Sequence, residues 1–288
     1  MPRKASPKPR IAIVGAGNLA QALGAALFEA RYKIDSIVSR DSAASRRRAK
    51  RLAAEFGAAA SVFGKGKIRA ELVWFCVPDA AISSAAKRLT EAADWKGKIA
   101  LHSSGALSSD ELSLLRERGA SVASVHPLMT FVRGSRPSLE GVPFAIEGDR
   151  KAARTARAIV RDLRGQAFPI RTEQKAAYHA WGMFASPLLT ALLAAGEGVA
   201  AAAGVQRKLA QTRMLPILRQ TLANYAKLGA PESFSGPIAR GDVATVKKHL
   251  DTLKALPAAR EIYISLARSA LHSLPAKNQS ALNTILKS

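Results

Sequence analysis

The feature that most constrains this chain lies in its first thirty residues. Residues 10–15, Arg-Ile-Ala-Ile-Val-Gly, form a short unbroken apolar run, as a strand covered on both faces requires. The run feeds Gly15-Ala16-Gly17-Asn18-Leu19-Ala20 and then an Ala- and Leu-rich stretch, 18–30, that reads as a helix. A strand entering a helix through G-x-G-x-x-A is a turn suited to phosphate. Gly15 permits the sharp turn, Gly17 lets a pyrophosphate approach the backbone, and Ala20 keeps helix and strand close. The helix N-terminus adds free N–H groups and the positive end of its dipole. The alternative, a tight strand-to-helix turn without a ligand, is weakened by the alternation of elements that follows.

That rest alternates. Lys33 to Ser39 reads as a second strand, followed by a basic helix from Asp41 to Phe56 with Asp41 as its cap. Ala70 to Val77 is a third strand, closed by Pro78-Asp79. Residues 98–103 and 121–125 are two more, separated by a helix near 109–118. Residues 142–147 and 167–170 look like edge strands around a basic helix at 150–164. The pattern predicts an α/β fold with a doubly wound, mostly parallel sheet. After Arg171 no β-rich run returns, and residues 173–203, 206–228, 242–253 and 258–273 read as helices. A flexible basic arm (1–9), a sheet domain (10–171) and an all-α substrate or dimerisation domain (172–288) are therefore expected, which suits 288 residues.

Composition removes other classes. A single cysteine, Cys76, cannot make an internal disulfide and fits a reducing compartment, and the five histidines show no metal-ligand spacing, so no metal site is expected. The first ten residues are basic without an apolar core before Ile11, which does not read as a signal peptide and points to the cytoplasm. The formal charge of +23 is spread over both halves and favours anionic partners. No aromatic-interleaved basic motif selects nucleic acid, and a general basic bias explains the charge as well. Residues 176–196 hold no charged side chain and are long enough to span a membrane, yet they include His179, Gly182, Ser186, Pro187 and Thr190. A helix buried in a domain or subunit core accounts for the run better, and no membrane partner is expected.

The end of the second strand addresses cofactor choice. An acid there holds the ribose 2′-OH of NAD, whereas Arg accommodates a 2′-phosphate. Here the strand ends Val38-Ser39-Arg40, with Arg46, Arg47 and Arg48 beyond, and the reading is NADP. Ligands of doubly wound sheets sit beyond the C-terminal strand ends. That places Val77, Pro78, Asp79 and Ser103 by the cofactor, Ser104 by a substrate carbonyl or carboxylate, and His126 near the nicotinamide end. Each has a bland alternative, a helix-entry turn for the serines and a backbone-bonded loop residue for His126. Lys175 and His179, spaced i, i+4, share one helix face and could supply a proton to a carbonyl or imine. A surface lysine and a core histidine are the alternative there. Arg240, in a Gly/Pro loop ending at the good N-cap Asp242, could clamp an anionic substrate or simply pair with an acid nearby. HExxH, GxSxG and Walker patterns do not occur in the sequence.

These motifs stand in a recognisable order: GAGNLA, Val77-Pro78-Asp79, Ser103-Ser104-Gly105-Ala106-Leu107, His126-Pro127-Leu128, Tyr178-His179-Ala180 and Ser235-Gly236-Pro237-Ile238-Ala239-Arg240-Gly241-Asp242. The chain resembles a bacterial family with a Rossmann-like NADP-binding domain followed by a helical domain of unknown function. That family is similar in architecture to pyrroline-5-carboxylate reductases and to the 6-phosphogluconate and β-hydroxyacid dehydrogenases. The resemblance implies an NADP oxidoreductase-like fold and a homodimer through the α domain. By resemblance to the β-hydroxyacid dehydrogenases, Lys175 would be the proton donor and His179 the orienting group; within this chain's own motif His179 is the stronger candidate. Ser186-Pro187 departs from the expected Ser-Asn. The reading is an NADP-dependent oxidoreductase moving a hydride to or from a small, anionic carbonyl, imine or hydroxy-acid substrate. A non-catalytic NADP-binding sensor or scaffold and a nucleic-acid-associated protein are the alternatives.

Overall fold

A computed structural model describes residues 7–287. The chain divides into two compact units, Met1–Met183 and Phe184–Ser288. In the first, β1 (Ile11–Val14), α1 (Asn18–Glu29), β2 (Ile34–Ser39), α2 (Ala43–Glu55), β3 (Ala59–Val62), β4 (Leu72–Phe75), α3 (Ile82–Leu89), β5 (Ile99–His102), α4 (Ser113–Glu117), β6 (Ser121–Pro127), β7 (Pro143–Gly148), α5 (Arg150–Asp162), β8 (Gln166–Pro169) and the start of α6 (Lys175–Ala185) follow one another. The eight strands lie in the order β3-β2-β1-β4-β5-β6-β7-β8. All pairs are parallel except β6 with β7. The sheet is thus α/β and doubly wound, as the alternation predicts.

β1 and β4 are buried along their whole length, and each face of the sheet carries its own core. On one face Leu23 and Leu27 of α1, Leu52 of α2 and Ile159 of α5 cover Ile13, Trp74 and Leu101. On the other, Ile82 and Leu89 of α3 and Leu115 of α4 cover Val14, Phe75 and Ala100. Strands buried on both sides need the continuous apolar runs seen in the sequence.

Four details differ from expectation. β3 is an additional strand of small, partly exposed residues. β7 is interior, with β6 and β8 as neighbours, and β8 is the edge. The cap of α2 is Ser42, whose Oγ accepts from Ser45 N, because Asp41 is drawn to Arg46 at 2.8 Å and Lys65 at 3.6 Å. The start of α6 groups with the sheet, since Lys175 and Tyr178 are buried there. Of the expected basic arm, residues 1–6 lie outside the described residues. Lys8 is tied down, donating to Ala30 O at 2.7 Å and pairing with Asp162 at 3.1 Å.

The second unit continues through α7 (Pro187–Ala202), α8 (Arg207–Ser233), α9 (Gly236–Arg240), α10 (Val243–Thr252), α11 (Pro257–Ser273) and α12 (Gln279–Lys287). The expected helix 173–203 is interrupted at Ser186, whose dihedrals are not helical, with Pro187 at the first position of α7. Gly229, at φ 78°, breaks α8. The core is formed by Val246 and Leu250 of α10, Ala267 and Leu271 of α11, and Leu282 and Leu286 of α12. α7 contributes no buried residue. The stretch Thr172–Ala202 is long and apolar enough to cross a membrane by length and composition, with mean hydropathy 1.4 in its most apolar part. None of that part is buried within the chain, so of the two places expected for it, a domain core or a subunit core, the first is corrected. The reason is that α10, α11 and α12 close the core without it.

Candidate functional site

β1 lies between β2 and β4, where the strand order reverses, and its C-terminal end is the crevice at which such sheets take ligands. Gly15 follows directly, with φ +111°, and a Cβ built there would stand 2.3 Å from Cys76 O beyond β4. Only glycine makes that turn against that neighbour. Gly17 is the N-cap of α1. A Cβ there would meet nothing within 4 Å, no side chain caps the helix, and its first turn holds no acid. The start of α1 is therefore an open cradle of backbone donors. Ala20 packs into the core, Ala16 and Leu19 pack against it, and Asn18 Nδ2 donates to Phe131 O at 3.1 Å.

At the end of β2, Ser39 is buried and its hydroxyl donates to Arg40 O at 3.2 Å. Arg40 is exposed, with its charge unpaired among the described residues. The neighbouring acid Asp41 is held by Arg46 and Lys65. These residues fit a dinucleotide with a 2′-phosphate: a cradle without a competing cap, a free arginine, and no free acid at the ribose position.

A second cluster gathers at the ends of β4, β5 and β6 and on the first turns of α6. His102 closes β5 fully buried. Its Nδ1 accepts from Ser104 N at 3.1 Å, and its Nε2 donates to Ser108 O at 2.8 Å. Ser103 Oγ accepts from Trp74 Nε1 at 2.9 Å. Ser104 Oγ donates to Asp79 Oδ2 at 2.7 Å and accepts from Ala106 N and Leu107 N at 3.2 and 2.9 Å. The Ser104 hydroxyl is thus committed within its own loop, at 2% exposure, rather than open to a substrate as expected.

Lys175 reaches into the same place. Its Nζ, on a side chain of a residue 1% exposed, donates to Ser124 Oγ at 2.7 Å and to Ser104 O at 3.2 Å. Burial lowers its pKa, opposed by the charges of Glu147 and Asp79. Glu147 in turn accepts from Ser109 N and Oγ at 2.6 and 2.9 Å.

His126, near the end of β6, has Nδ1 2.9 Å from the Tyr178 hydroxyl. Its ring meets that of His179 edge-on, with centroids 6.1 Å apart. Gly105 lies between them: a Cβ there would approach His179 Cδ2 to 2.8 Å and His126 Nε2 to 2.9 Å. Burial, then the nearby His179 and Lys175, push the His126 pKa down to about 4, and burial does the same for His102. Both imidazoles are neutral at pH 7.

The structure therefore brings Asp79, Ser103, Ser104, His126, Lys175 and His179 together. Val77 joins them to the glycine turn, its Cγ1 lying 3.3 Å from a Cβ at Gly15, while Pro78 caps the short 3-10 turn at Asp79. Arg240 is in the second unit, exposed at the end of α9. Asp242 caps α10 as expected, its carboxylate held below the usual range by the Thr245 backbone N–H and hydroxyl. Sequence reasoning gave no role to Tyr178, Gly105 or His102. The first was legible as the i+3 neighbour of Lys175 on α6.

A mostly parallel, doubly wound sheet with a glycine turn at its reversal, followed by helices, is a Rossmann-like architecture. Residues 3–127 match the model of a Rossmann-like domain, and residues 142–270 match that of a domain of unknown function, DUF2520. It is similar in structure to a candidate NADP oxidoreductase from Bacteroides fragilis (TM-score 0.74, 22% identity, 91% of this chain and 97% of that one). It is also similar to a reductive aminase from Aspergillus terreus in complex with NADPH and ethyl-5-oxohexanoate (0.65, 13%, 96% and 99%). A pyrroline-5-carboxylate reductase from Coxiella burnetii shares the architecture as well (0.57, 12%, 91% and 98%). No curated protein matches by sequence.

Proposed function

We propose that the protein is an NADP-dependent oxidoreductase acting on a small carbonyl, imine or hydroxy-acid substrate. The observation that carries the reading is the uncapped glycine turn at the strand reversal, with unpaired Arg40 at the end of β2. Similarity to proteins described as NADP- or NADPH-associated supports it. Residues 15–20 would hold the pyrophosphate, and Ser39 and Arg40 the 2′-phosphate. The nicotinamide, when bound, supplies or accepts a hydride.

The chain's own part is to orient the acceptor and manage a proton. His126 and His179 converge at Gly105 and offer imidazole N–H groups to a carbonyl or imine. Lys175, enclosed by Ser104 O and Ser124 Oγ, holds the Ser103–Leu107 loop against β6 instead of reaching outward. The test is NADPH oxidation against a panel of small oxo-acids, ketones and imines. His179→Ala should lower turnover by about 100-fold or more, the usual contribution of a positioned acid or base, with NADPH affinity nearly unchanged. Turnover equal to the unmodified protein removes His179 from the chemistry.

The assembly proposed is a homodimer through the second unit. Phe184, Leu188, Leu192, Ile217, Leu222 and Tyr225 are exposed there. Large apolar side chains left exposed together on one unit mark an interaction surface rather than ordinary open surface.

A further inference from the structure

The two nitrogens of His126 have different surroundings. Nδ1 faces Tyr178, which is 8% exposed and packed edge-on against His126 and Phe168, with ring centroids at 5.4 and 5.9 Å. A buried hydroxyl has to place its proton on an acceptor. His126 offers two: Nδ1 at 2.9 Å, and its own carbonyl oxygen at 3.5 Å, the outer limit of a hydrogen bond. The short contact takes the proton. Nδ1 is then the acceptor, and the neutral ring carries its own hydrogen on Nε2. Nε2 lies toward Gly105, whose missing side chain leaves room there, and toward the His179 ring.

The titratable groups around His126 agree with a neutral ring. His179 and Lys175 face it from α6 and His102 from β5, and each lowers the pKa of the ring; Asp79, from the turn after β4, opposes them. Burial outweighs that carboxylate.

We infer that Tyr178 is a positioning residue that fixes His126 as its Nε2–H tautomer, so that the site offers its substrate a hydrogen-bond donor. The inference rests on the oxidoreductase reading and narrows its substrate class. A donor suits the oxygen of a carbonyl or hydroxy compound. It opposes a protonated imine, whose own N–H would meet Nε2–H.

The experiment is long-range 1H–15N NMR of the histidine rings in the full-length protein at pH 7, without cofactor. His126→Asn assigns the His126 signals. His102 is an internal standard, because a backbone N–H can only donate to its Nδ1 and so requires Nε2–H. The expected result is that His126 shows the His102 pattern in the unmodified protein. Tyr178→Phe then replaces it by a mixture of tautomers while His102 is unchanged. A proton on Nδ1 in the unmodified protein, or a single unaltered tautomer in Tyr178→Phe, overturns the assignment. Where Tyr178→Phe fails to fold, shown by loss of the His102 pattern, the unmodified spectrum alone decides. In the turnover assay carbonyl substrates outpace preformed iminium salts, and the reverse order overturns the substrate class. Failure to bind NADPH would remove the cofactor reading without altering the tautomer result, so the two failures are distinguishable.

Discussion

At the scale of single residues, Lys175 shows how a spacing can place a side chain on the right face while leaving its surroundings hidden. The i, i+4 pattern placed Lys175 and His179 on one face of α6, and both meet the Ser103–Leu107 loop. The spacing could not show that Lys175 is enclosed by two oxygens. A long buried side chain with its donors satisfied stabilises the loop, and truncation leaves a cavity and polar groups without their partner. Lys175→Ala should cost about 2–4 kcal/mol in urea unfolding, with Lys175→Met costing less because it keeps the volume. Equal losses for the two variants would show that hydrogen bonding, not volume, dominates at the site.

At the scale of elements, the ends of β5 and β6 make folding sensitive to acid. His102 and His126 have their pKa values pushed down to about 4 in the folded chain, from an ordinary value of 6.5. Between those limits the unfolded chain binds more protons, so stability falls as pH drops from about 6.5 to 4, by about 1.4 kcal/mol per pH unit for each group. Glu71 behaves differently. Its pKa is lowered to about 2 chiefly by its hydrogen bond with Arg10, so its contribution is lost only below its ordinary 4.5. Urea midpoints at pH 7, 6 and 5 should therefore decline already above pH 5, and His126→Asn should flatten the decline. A level profile there would contradict neutral burial of the two rings. The same scale shows what the sequence carried. β1 and β4 were legible because strands covered on both faces need unbroken apolar runs. β3 was not, since Ala59-Ala60-Ser61-Val62 is small and partly exposed and its place comes from pairing with β2. The interior position of β7 was hidden because its antiparallel pairing with β6 is a matter of topology. Asp41 and Ser42 are both good caps, and distant Lys65 helps decide between them.

At the scale of the whole molecule, the uncharged run 176–196 announced a surface needing cover, and within the chain Tyr178 alone of its residues is buried. α10, α11 and α12 already make a core, while a cavity of about 600 Å³ lined by Leu192, Val199, Ile238, Tyr263 and Leu266 adds to the apolar surface of that unit. The proposed dimer accounts for both. Light scattering at micromolar concentration should give twice the chain mass, and Leu188→Arg combined with Leu222→Arg should shift it to the monomer. A monomer in the unmodified protein contradicts the arrangement.

The central claim is that the turn from Gly15 to Ala20 and Arg40 together hold a dinucleotide bearing a 2′-phosphate. Its most direct measurement is a calorimetric titration of the unmodified protein and of Arg40→Asp with NADPH and with NADH. The account predicts that NADPH binds more tightly by about 10- to 150-fold, the worth of one charge-assisted hydrogen bond, and that Arg40→Asp narrows or reverses the preference. Equal affinity for the two in the unmodified protein, or binding of neither, would contradict it.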